Sequence, residues 1–424
     1  MRRAGGTTAT GALTSGLLVA ATAAALTLAP AGAASADSIR DAQYWLSDYG
    51  VQKAWQTTRG AGVTVAVIDT GVDGSVRELQ GAVVGGTDMS GQGSADGQTP
   101  VGSDDPAHGT LVGSLLAGRG TATGDGVIGV APEADLLSIS VGFGAGAVDS
   151  DQQIADAVTW AVDHGADVIN MSLTRNTLDW PTSWDEAFLH AQEEDVVVVA
   201  AAGNRGSGTT EVGAPATMPG VLTVAGVDRQ GTASFDASSQ GITIGVAAPS
   251  EDLVGVGPGD VHYSWSGTSG ATPLVAGIVA LVRSAHPELD ADDVINRVVA
   301  TATPKGDSTP DPLYGYGLVD AAAAVTASVP AVTANPMGDL SEWIRVHRRA
   351  DAPEPSAQAT NPTDEAPVPT PVPDPGQPLA VLLPTVETMR STGIPLIVFT
   401  VFGGAATLLA LGAVRQFRRA RRSG

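Results

Sequence analysis

The chain lacks cysteine altogether, has only 4% aromatic residues, and carries 22 lysine and arginine residues against 45 aspartate and glutamate residues. Without cysteine no disulfide can form, so a folded domain has to depend on its hydrophobic core. The length of 424 residues allows this, because a domain of about 300 residues buries about three quarters of its surface. The excess of acidic residues argues against nucleic acid as a partner. A zinc site of the His-Glu-x-x-His type is excluded, since that motif does not occur.

The first 36 residues have the pattern of a secretory signal peptide. They begin with Met1-Arg2-Arg3, continue through an apolar stretch rich in alanine and leucine, and end in Ala34-Ser35-Ala36. A charged start, an apolar middle and a small-x-small end predict export and cleavage after Ala36. Residues 37–328 are globular in composition and hold 11 basic and 37 acidic residues, a formal net charge of −26. We therefore expect a strongly acidic exported domain.

The C-terminal part has the composition of a tethered stalk. Residues 329–393 are rich in proline, alanine, threonine and acidic residues, which predicts an extended spacer. Residues 394–414 carry no charge and are long enough to cross a hydrocarbon layer of about 30 Å as one helix. The five arginines in 415–424 predict a cytoplasmic C-terminus by the positive-inside rule. We expect a single-pass protein of the cell membrane, with residues 37–328 outside the cell.

Short apolar runs alternate with helix-like stretches through the globular part. The runs are rich in β-branched residues and span 63–68, 136–141, 168–173, 196–202, 221–227 and 242–247. Continuous runs of this length are typical of strands buried on both faces of a parallel sheet. Helices are expected at 151–164, 183–194, 269–284 and 290–301. The alternation predicts a three-layer α/β domain with a mainly parallel buried sheet, whose functional residues lie at the C-terminal ends of its strands.

Three short segments carry residues that suit acyl-transfer chemistry. Ser269 stands in Gly267-Thr268-Ser269-Gly270, directly before an apolar stretch typical of a buried helix. A serine at a helix N-terminus lies where backbone N–H groups stabilise a developing oxyanion. Asp69 follows the apolar run at 63–68, and His108 opens a further helix-like run. Each residue alone could be an ordinary capping or turn residue, but the order aspartate, histidine, serine is a known order of a serine-protease triad.

In this combination the chain resembles the subtilisin-like serine proteases, the subtilases, over roughly residues 37–328. The resemblance implies that Ser269 attacks a peptide carbonyl, that His108 moves the proton, and that Asp69 orients the imidazole. It also implies that Asn204, after an apolar run, donates its side-chain amide to the oxyanion. The structural alternative for Asn204 is a residue that merely tolerates a left-handed turn. This chemistry requires no metal or other cofactor, and its substrates are proteins or peptides.

The chain departs from the family pattern where substrate is expected to bind. The segment Ser172-Leu173-Thr174-Arg175 resembles the strand that pairs with substrate backbone, where the family typically has Ser-Leu-Gly-Gly. Thr174 and Arg175 bring side chains to a place where glycine allows close backbone approach. We therefore expect a narrowed or charged primary pocket and selective cleavage, unless both side chains point to solvent. Three other departures affect no residue of the expected chemistry: Val76 and Leu111 stand where histidine is common, and Gly270 where methionine is common.

The segments around the protease domain resemble those of one subfamily. A signal peptide, a short N-terminal extension, a proline-rich spacer and a C-terminal anchor together resemble the mycosins, the proteases of actinobacterial type VII secretion systems. About 25 residues separate Ala36 from the first apolar run, too few for the inhibitory propeptide domain of many secreted subtilases. Mycosins usually carry disulfides, which this chain cannot form. The resemblance implies a membrane-anchored endopeptidase that processes secreted or surface proteins, with type VII secretion machinery as a partner.

Other interpretations stay open from the sequence. The chain could be a catalytically idle subtilase fold that serves as a structural component of a membrane secretion complex, or a surface adhesin on a stalk. Structural calcium also stays open, because acidic loops such as Ser103-Asp104-Asp105 could supply oxygen ligands. Solvated surface carboxylates explain these loops more simply.

Overall fold

The structure, a computed structural model, describes residues 38–102, 105–122, 124–142 and 149–348. The predicted signal peptide, most of the predicted spacer, the predicted transmembrane helix at 394–414 and the basic tail lie outside the described residues. Ser103 and Asp104 of the acidic loop lie outside them as well.

A parallel sheet of seven strands forms the middle layer of the domain. Its strands are β1 (Thr64–Asp69), β2 (Val83–Asp88), β3 (Asp135–Ser140), β4 (Val168–Met171), β5 (Val197–Ala201), β6 (Leu222–Val227) and β7 (Ile244–Pro249). Their order is β2-β3-β1-β4-β5-β6-β7, and all neighbouring strands run parallel. The chain lays β2 and β3 on one side of β1 and β4 to β7 on the other. The C-terminal end of β1 is therefore the point where the strand order reverses, which is where open α/β sheets usually carry their sites.

Helices cover the two faces of this sheet. In the described residues they are α1 (Ser38–Ala42), α2 (Trp45–Asp48), α3 (Val51–Ala54), α4 (His108–Ala117), α5 (Ser150–Asp163), α6 (Thr182–Glu193), α7 (Thr268–Ala285), α8 (Ala291–Ala300), α9 (Ala321–Thr326) and α10 (Leu340–His347). Helices α4 and α7 pack against each other and the sheet, and α5 and α6 form a second such pair. The three-layer α/β fold with a parallel buried sheet is thus confirmed, and the six predicted runs form β1 and β3 to β7.

Strand β2 and the antiparallel hairpin of β8 (Leu253–Gly257) and β9 (Val261–Trp265) were not predicted. Strand β2 lies at the edge of the sheet and is only partly buried, so its sequence has no continuous apolar run. It contains Gly86 because a Cβ at that position would collide with the carbonyl oxygens of Ser138 and Asp96. Glycine stands in this strand because two other backbone segments approach it closely, and the strand therefore lacks the run of apolar side chains that would have predicted it.

Helix α7 is the central buried helix of the domain. It contacts β4, β5, β6 and β7, and its residues from Gly270 to Val282 are all buried. Among the described residues it is also the helix long and apolar enough to cross a membrane, but 78% of that stretch is buried inside the domain. Its apolar character is explained by its place in the core.

The folded domain extends beyond residue 328, where the spacer was predicted to begin. Helix α10 starts after Asp339, whose Oδ1 accepts the Glu342 N–H at 3.0 Å, and Leu340 is fully buried. Trp343 packs on Trp180 with ring centroids 4.3 Å apart. The predicted boundary was too early, because the prolines and alanines around α10 obscured a short capped helix with one apolar face.

Candidate active site

Asp69 and His108 meet at the C-terminal end of β1. Asp69 is the last residue of β1 and is 1% exposed, and His108 is the first residue of α4. The Asp69 Oδ1 lies 2.8 Å from His108 Nδ1 and also accepts the Thr70 N–H at 2.7 Å. This contact favours the tautomer with the proton on Nδ1, which leaves Nε2 free to accept a proton. Glycine at 109 allows the approach, since a Cβ there would lie 2.5 Å from the Gly71 carbonyl oxygen.

The pKa of the His108 imidazole is raised by its surroundings. Burial of the ring lowers the pKa, but the charge and hydrogen bond of Asp69 raise it, with a further contribution from the charge of Asp105, and the carboxylates outweigh the burial. The Oδ2 of Asp69 is buried and has no hydrogen-bond partner among the described residues. A buried carboxylate of this kind is stabilised when the neighbouring ring becomes a cation. The pair therefore suits a base that must hold a proton during a reaction.

Ser269 is the second residue of α7 and is half-buried. Its Oγ donates to the Ser172 carbonyl at 3.1 Å, and the Ser172 Oγ donates to the Ser269 carbonyl at 2.9 Å. The serine hydroxyl therefore faces the end of β4 and makes no hydrogen bond to His108 in the described structure. It has to turn away from Ser172 before His108 can accept its proton. Catalytic hydrogen bonds often form only once substrate is bound.

Trp265 contacts both the His108 and the Ser269 segments. Its ring stands edge-on to the imidazole with centroids 5.8 Å apart. A Cβ on Gly270 would lie 3.4 Å from the same indole ring and would collide with Leu253. The sequence did not predict the contact of Trp265 with this site. The one pattern that could have indicated it is the glycine at 270, which leaves room beside Ser269 for another side chain.

Asn204 follows β5, and its side chain is oriented by the residue before Ser269. Its Oδ1 accepts the Thr268 N–H at 2.8 Å and the Thr268 Oγ1 hydroxyl at 2.9 Å. Because a backbone N–H can only donate, the amide oxygen must face Thr268, and Nδ2 is left for another acceptor. A Cβ on Gly267 would lie 3.2 Å from this Nδ2. The Nδ2 and the Ser269 N–H in the first turn of α7 thus form a site suited to an oxyanion.

The alternative role of Asn204 as a left-handed turn residue is wrong. Asn204 has φ −122° and ψ 122°, which is an extended conformation. The left-handed position is the preceding Gly203, with φ 99°. Glycine takes the turn without steric cost. The turn therefore does not explain why residue 204 is asparagine, whereas the hydrogen bonds of its side-chain amide do.

The segment Ser172-Leu173-Thr174-Arg175 follows β4 directly, beside Ser269. Ser172 is buried, and its Oγ also accepts the Asn170 side-chain amide at 3.1 Å. Leu173 packs against the core. Thr174 lies between two glycines: its Cγ2 would be 3.1 Å from a Cβ on Gly203, and its Oγ1 2.8 Å from a Cβ on Gly213. The threonine side chain thus occupies space next to the Asn204 loop.

Arg175 does not contribute a free positive charge. Its Nη1 is bonded to the Asp151 carboxylate at the start of α5, and its guanidinium carbon lies 5.7 Å from the Trp184 ring centroid. Its Nε donates to the Thr177 hydroxyl at 3.3 Å. The expectation that Arg175 makes the pocket charged is therefore not met, because a carboxylate already neutralises it.

Within the described residues, no group of three or more histidine, aspartate or glutamate side chains is placed to hold a metal ion. The acidic loop considered for calcium lies partly outside these residues, so its role stays a sequence-based hypothesis.

The chain is similar to known proteases over the part that carries this site. The family model described as the subtilase family, peptidase S8, matches residues 60–317. Subtilisin DY from Bacillus licheniformis is 38% identical over 272 residues, which cover 63% of this chain and 93% of that protein. Mycosin-3 from Mycobacterium tuberculosis is 35% identical over 372 residues, which cover 74% of this chain and 77% of that protein. The crystal structure of MycP1 from the ESX-1 type VII secretion system shares 32% identity and a TM-score of 0.57, over 68% of this chain and 86% of that one.

The range matched by the family model includes the β1, α4 and α7 segments that carry Asp69, His108 and Ser269. The matched range spans more than half of the chain, and relatives above 30% identity are covered over most of their length. The chain belongs to the subtilase family of serine endopeptidases.

Proposed function

We propose that Asp69, His108 and Ser269 are the catalytic triad of this protease and that Asn204 stabilises its oxyanion. The observation that carries the proposal is the orientation of the Asn204 amide. Thr268 binds its oxygen, so its nitrogen stays free to donate beside the helix N-terminus that bears Ser269. The hydrogen bond between Asp69 and His108 supports the same assignment.

The reaction follows from these positions. When substrate is bound, the Ser269 hydroxyl turns from the Ser172 carbonyl to His108 Nε2 and attacks the peptide carbonyl carbon as its proton passes to the imidazole. The oxyanion receives hydrogen bonds from Asn204 Nδ2 and the Ser269 N–H. The imidazolium, stabilised by Asp69, then protonates the leaving amine and leaves an acyl-enzyme. Water hydrolyses this ester by the same path and regenerates Ser269.

Non-additive substitutions test the triad. We expect Ser269→Ala, His108→Ala and Asp69→Asn each to remove nearly all peptidase activity while circular dichroism and thermal melting show a folded protein. Because the three residues act as a unit, the double variants should lose little more than the worst single variant. Losses that add up on a logarithmic scale would contradict the assignment.

A second part of the proposal concerns location and role. We infer a membrane-anchored enzyme with the protease domain outside the cell, which processes secreted or surface proteins in the manner of a mycosin. Its support is the similarity to mycosin-3 and to MycP1 from the ESX-1 type VII secretion system, together with the uncharged stretch at 394–414. Proteomics of cell-surface and culture proteins in a Ser269→Ala strain would identify the substrates.

The contact between Ser269 and Ser172 favours one alternative, a catalytically idle subtilase that serves as a structural component of a secretion complex. The two functions make opposite predictions for a Ser269→Ala strain. An idle scaffold would support secretion and leave all cleavage products unchanged, whereas a protease would leave uncleaved precursors.

A further inference from the structure

An arginine other than Arg175 supplies positive charge beside the active site. Arg205 directly follows Asn204 and begins the short 3-10 turn Arg205–Ser207. Its Nη2 donates to the Gln240 side-chain oxygen at 3.2 Å, and no ion pair joins it to a carboxylate within the described residues. In a domain with 37 acidic and 11 basic residues, an arginine without a carboxylate partner next to the oxyanion residue is unexpected.

The Arg205 guanidinium lies on an exposed aromatic ring. Its central carbon is 4.9 Å from the centroid of Phe235, and Phe235 is 72% exposed. An exposed phenylalanine of this kind contributes nothing to the core. The ring instead offers the guanidinium a flat face, which restrains its orientation through a cation–π contact.

Backbone hydrogen bonds hold this pair at the active site. The Ser239 N–H donates to the Gly203 carbonyl at 2.7 Å, and the Gly206 N–H donates to the Asp236 carbonyl at 2.9 Å. The loop that carries Phe235 is therefore fixed to the loop that carries Asn204 on both sides of Arg205. Arg205 is therefore held next to Asn204, the proposed oxyanion donor.

Two carboxylates stand on segments that are hydrogen-bonded to Arg205 or to its segment. Asp236 is exposed and follows Phe235, and Glu211 pairs through its backbone with Gln240, the residue that accepts from Arg205. Neither forms an ion pair with Arg205 within the described residues. The guanidinium thus keeps N–H donors that can bind a further carboxylate in the paired geometry that arginine favours.

We propose that Arg205 and Phe235 form a subsite that selects an acidic side chain of the substrate near the scissile bond. The guanidinium binds the carboxylate, and Phe235 supplies the apolar wall along its methylene groups. This inference rests on the proposed endopeptidase function and adds a substrate class to it: polypeptides with aspartate or glutamate close to the cleaved bond.

Matched peptides test the subsite on the full-length protein in detergent. Internally quenched peptides that differ only by Asp or Asn at one position are scanned across both sides of the cleaved bond, and the ratio of kcat/KM for Asp over Asn is measured in each variant. We expect a ratio on the order of ten at one position in the native protein, because substrate binding partly desolvates the ion pair. Arg205→Gln should bring this ratio to about one, and Arg205→Lys should restore part of it.

Three further variants make the result specific. Arg229→Gln removes another arginine that lies on an aromatic ring, Tyr44 in the N-terminal segment, and should keep the ratio. Arg175→Gln should also keep it, since Asp151 neutralises that charge. Asp236→Asn removes a negative charge from the segment bonded to Gly206 and should raise the ratio. A ratio near one at every position in the native protein, or a ratio that survives Arg205→Gln, would overturn the proposal.

A binding measurement separates this inference from the proposed function. Fluorescence anisotropy of the labelled Asp and Asn peptides on the Ser269→Ala protein reports Kd without catalysis. Tighter binding of the Asp peptide that is lost in the Ser269→Ala/Arg205→Gln double variant supports the subsite even if the native protein cleaves no peptide. Equal Kd values for both peptides would overturn the subsite while leaving the triad assignment untouched.

Discussion

At the scale of single residues, side chains of the proposed site are held by neighbours outside the proposed triad. Thr268 fixes the amide of Asn204, Ser172 holds the backbone of Ser269, and Trp265 stands against the imidazole of His108. The hydrogen bonds from Thr268 fix the direction of the Asn204 Nδ2 donor before any charge develops. Such preorganisation is usually the largest single contribution to catalysis of acyl transfer.

The pH profile should report the raised pKa of His108. A protonated imidazole cannot accept the Ser269 proton, so kcat/KM should rise with pH and reach half its maximum above about pH 6.5, the ordinary value for histidine. Asp105→Asn removes one raising charge without touching the triad and should move the midpoint to lower pH. A midpoint at or below pH 6.5 in the native protein would contradict the geometry of Asp69 and His108.

The proposed oxyanion role of Asn204 predicts a graded pair of variants. Asn204→Ala should lower kcat by about 10²–10³, a magnitude taken over from the equivalent donor of a subtilisin, a member of this family. Thr268→Val should have a smaller effect in the same direction, because the backbone N–H still holds the amide while the hydroxyl bond at 2.9 Å is lost. Single-turnover acylation rates measure both, and Thr268→Ser should recover the loss. A Thr268→Val protein with an unchanged rate would show that the hydroxyl does not orient Asn204.

The side chain of Thr174 predicts a change in selectivity. Thr174→Gly removes the methyl group near Gly203 and should let a peptide library be cleaved after larger residues. Arg175→Gly serves as the comparison, because it removes the bond to Asp151 and should lower stability more than it widens selectivity. Identical cleavage profiles of the native and Thr174→Gly proteins would mean that the pocket is set elsewhere.

At the scale of elements, predictability depended on burial. Strands buried on both faces have continuous apolar runs, so β1 and β3 to β7 and the ends that carry Asp69 and Asn204 could be predicted from the sequence. The sequence did not predict edge strand β2, hairpin β8–β9 or helix α10. Their sequences contain glycines or have only one apolar face, so they lack a continuous apolar run. The direction of the Asn204 amide and the pairing of Arg175 with Asp151 depend on contacts between distant segments, which no local pattern encodes.

Helix α10 provides a stability test at this scale. Leu340 is fully buried under the domain, so Leu340→Ala should lower the free energy of unfolding by about 2–4 kcal/mol. Val346, on the same helix, is 49% exposed, and Val346→Ala should change it by less than about 0.5 kcal/mol. Urea denaturation of both variants measures the difference. Equal effects would mean that α10 is not a packed part of the domain.

At the scale of the whole molecule, an acidic globular domain is followed by segments of different composition. The domain has a formal net charge of −26 over residues 37–328, while five arginines stand in the last ten residues. This asymmetry underlies the proposal that the two ends of the chain lie on opposite sides of a membrane. The folded part reaches Arg348, whose guanidinium binds Asp185 at 2.8 Å, so a tether would begin beyond α10.

Truncation tests the proposed anchor. A chain that ends after Pro378 keeps α10 and lacks the uncharged stretch at 394–414, so it should be released from cells as a soluble and active protease. Ultracentrifugation of membranes, followed by a peptide assay of both fractions, measures the distribution. A truncated protein that still sediments with membranes would show that residues 394–414 are not the anchor.

Labelling with a serine-directed fluorophosphonate is the most direct test that Ser269 is an activated nucleophile. Intact mass analysis of the native protein should show a single phosphonyl adduct, and peptide mapping should place it on Ser269. Ser269→Ala should give no adduct, and His108→Ala should react far more slowly, because the hydroxyl loses its base. A native protein that stays unmodified, or an adduct that persists in Ser269→Ala, would contradict the triad.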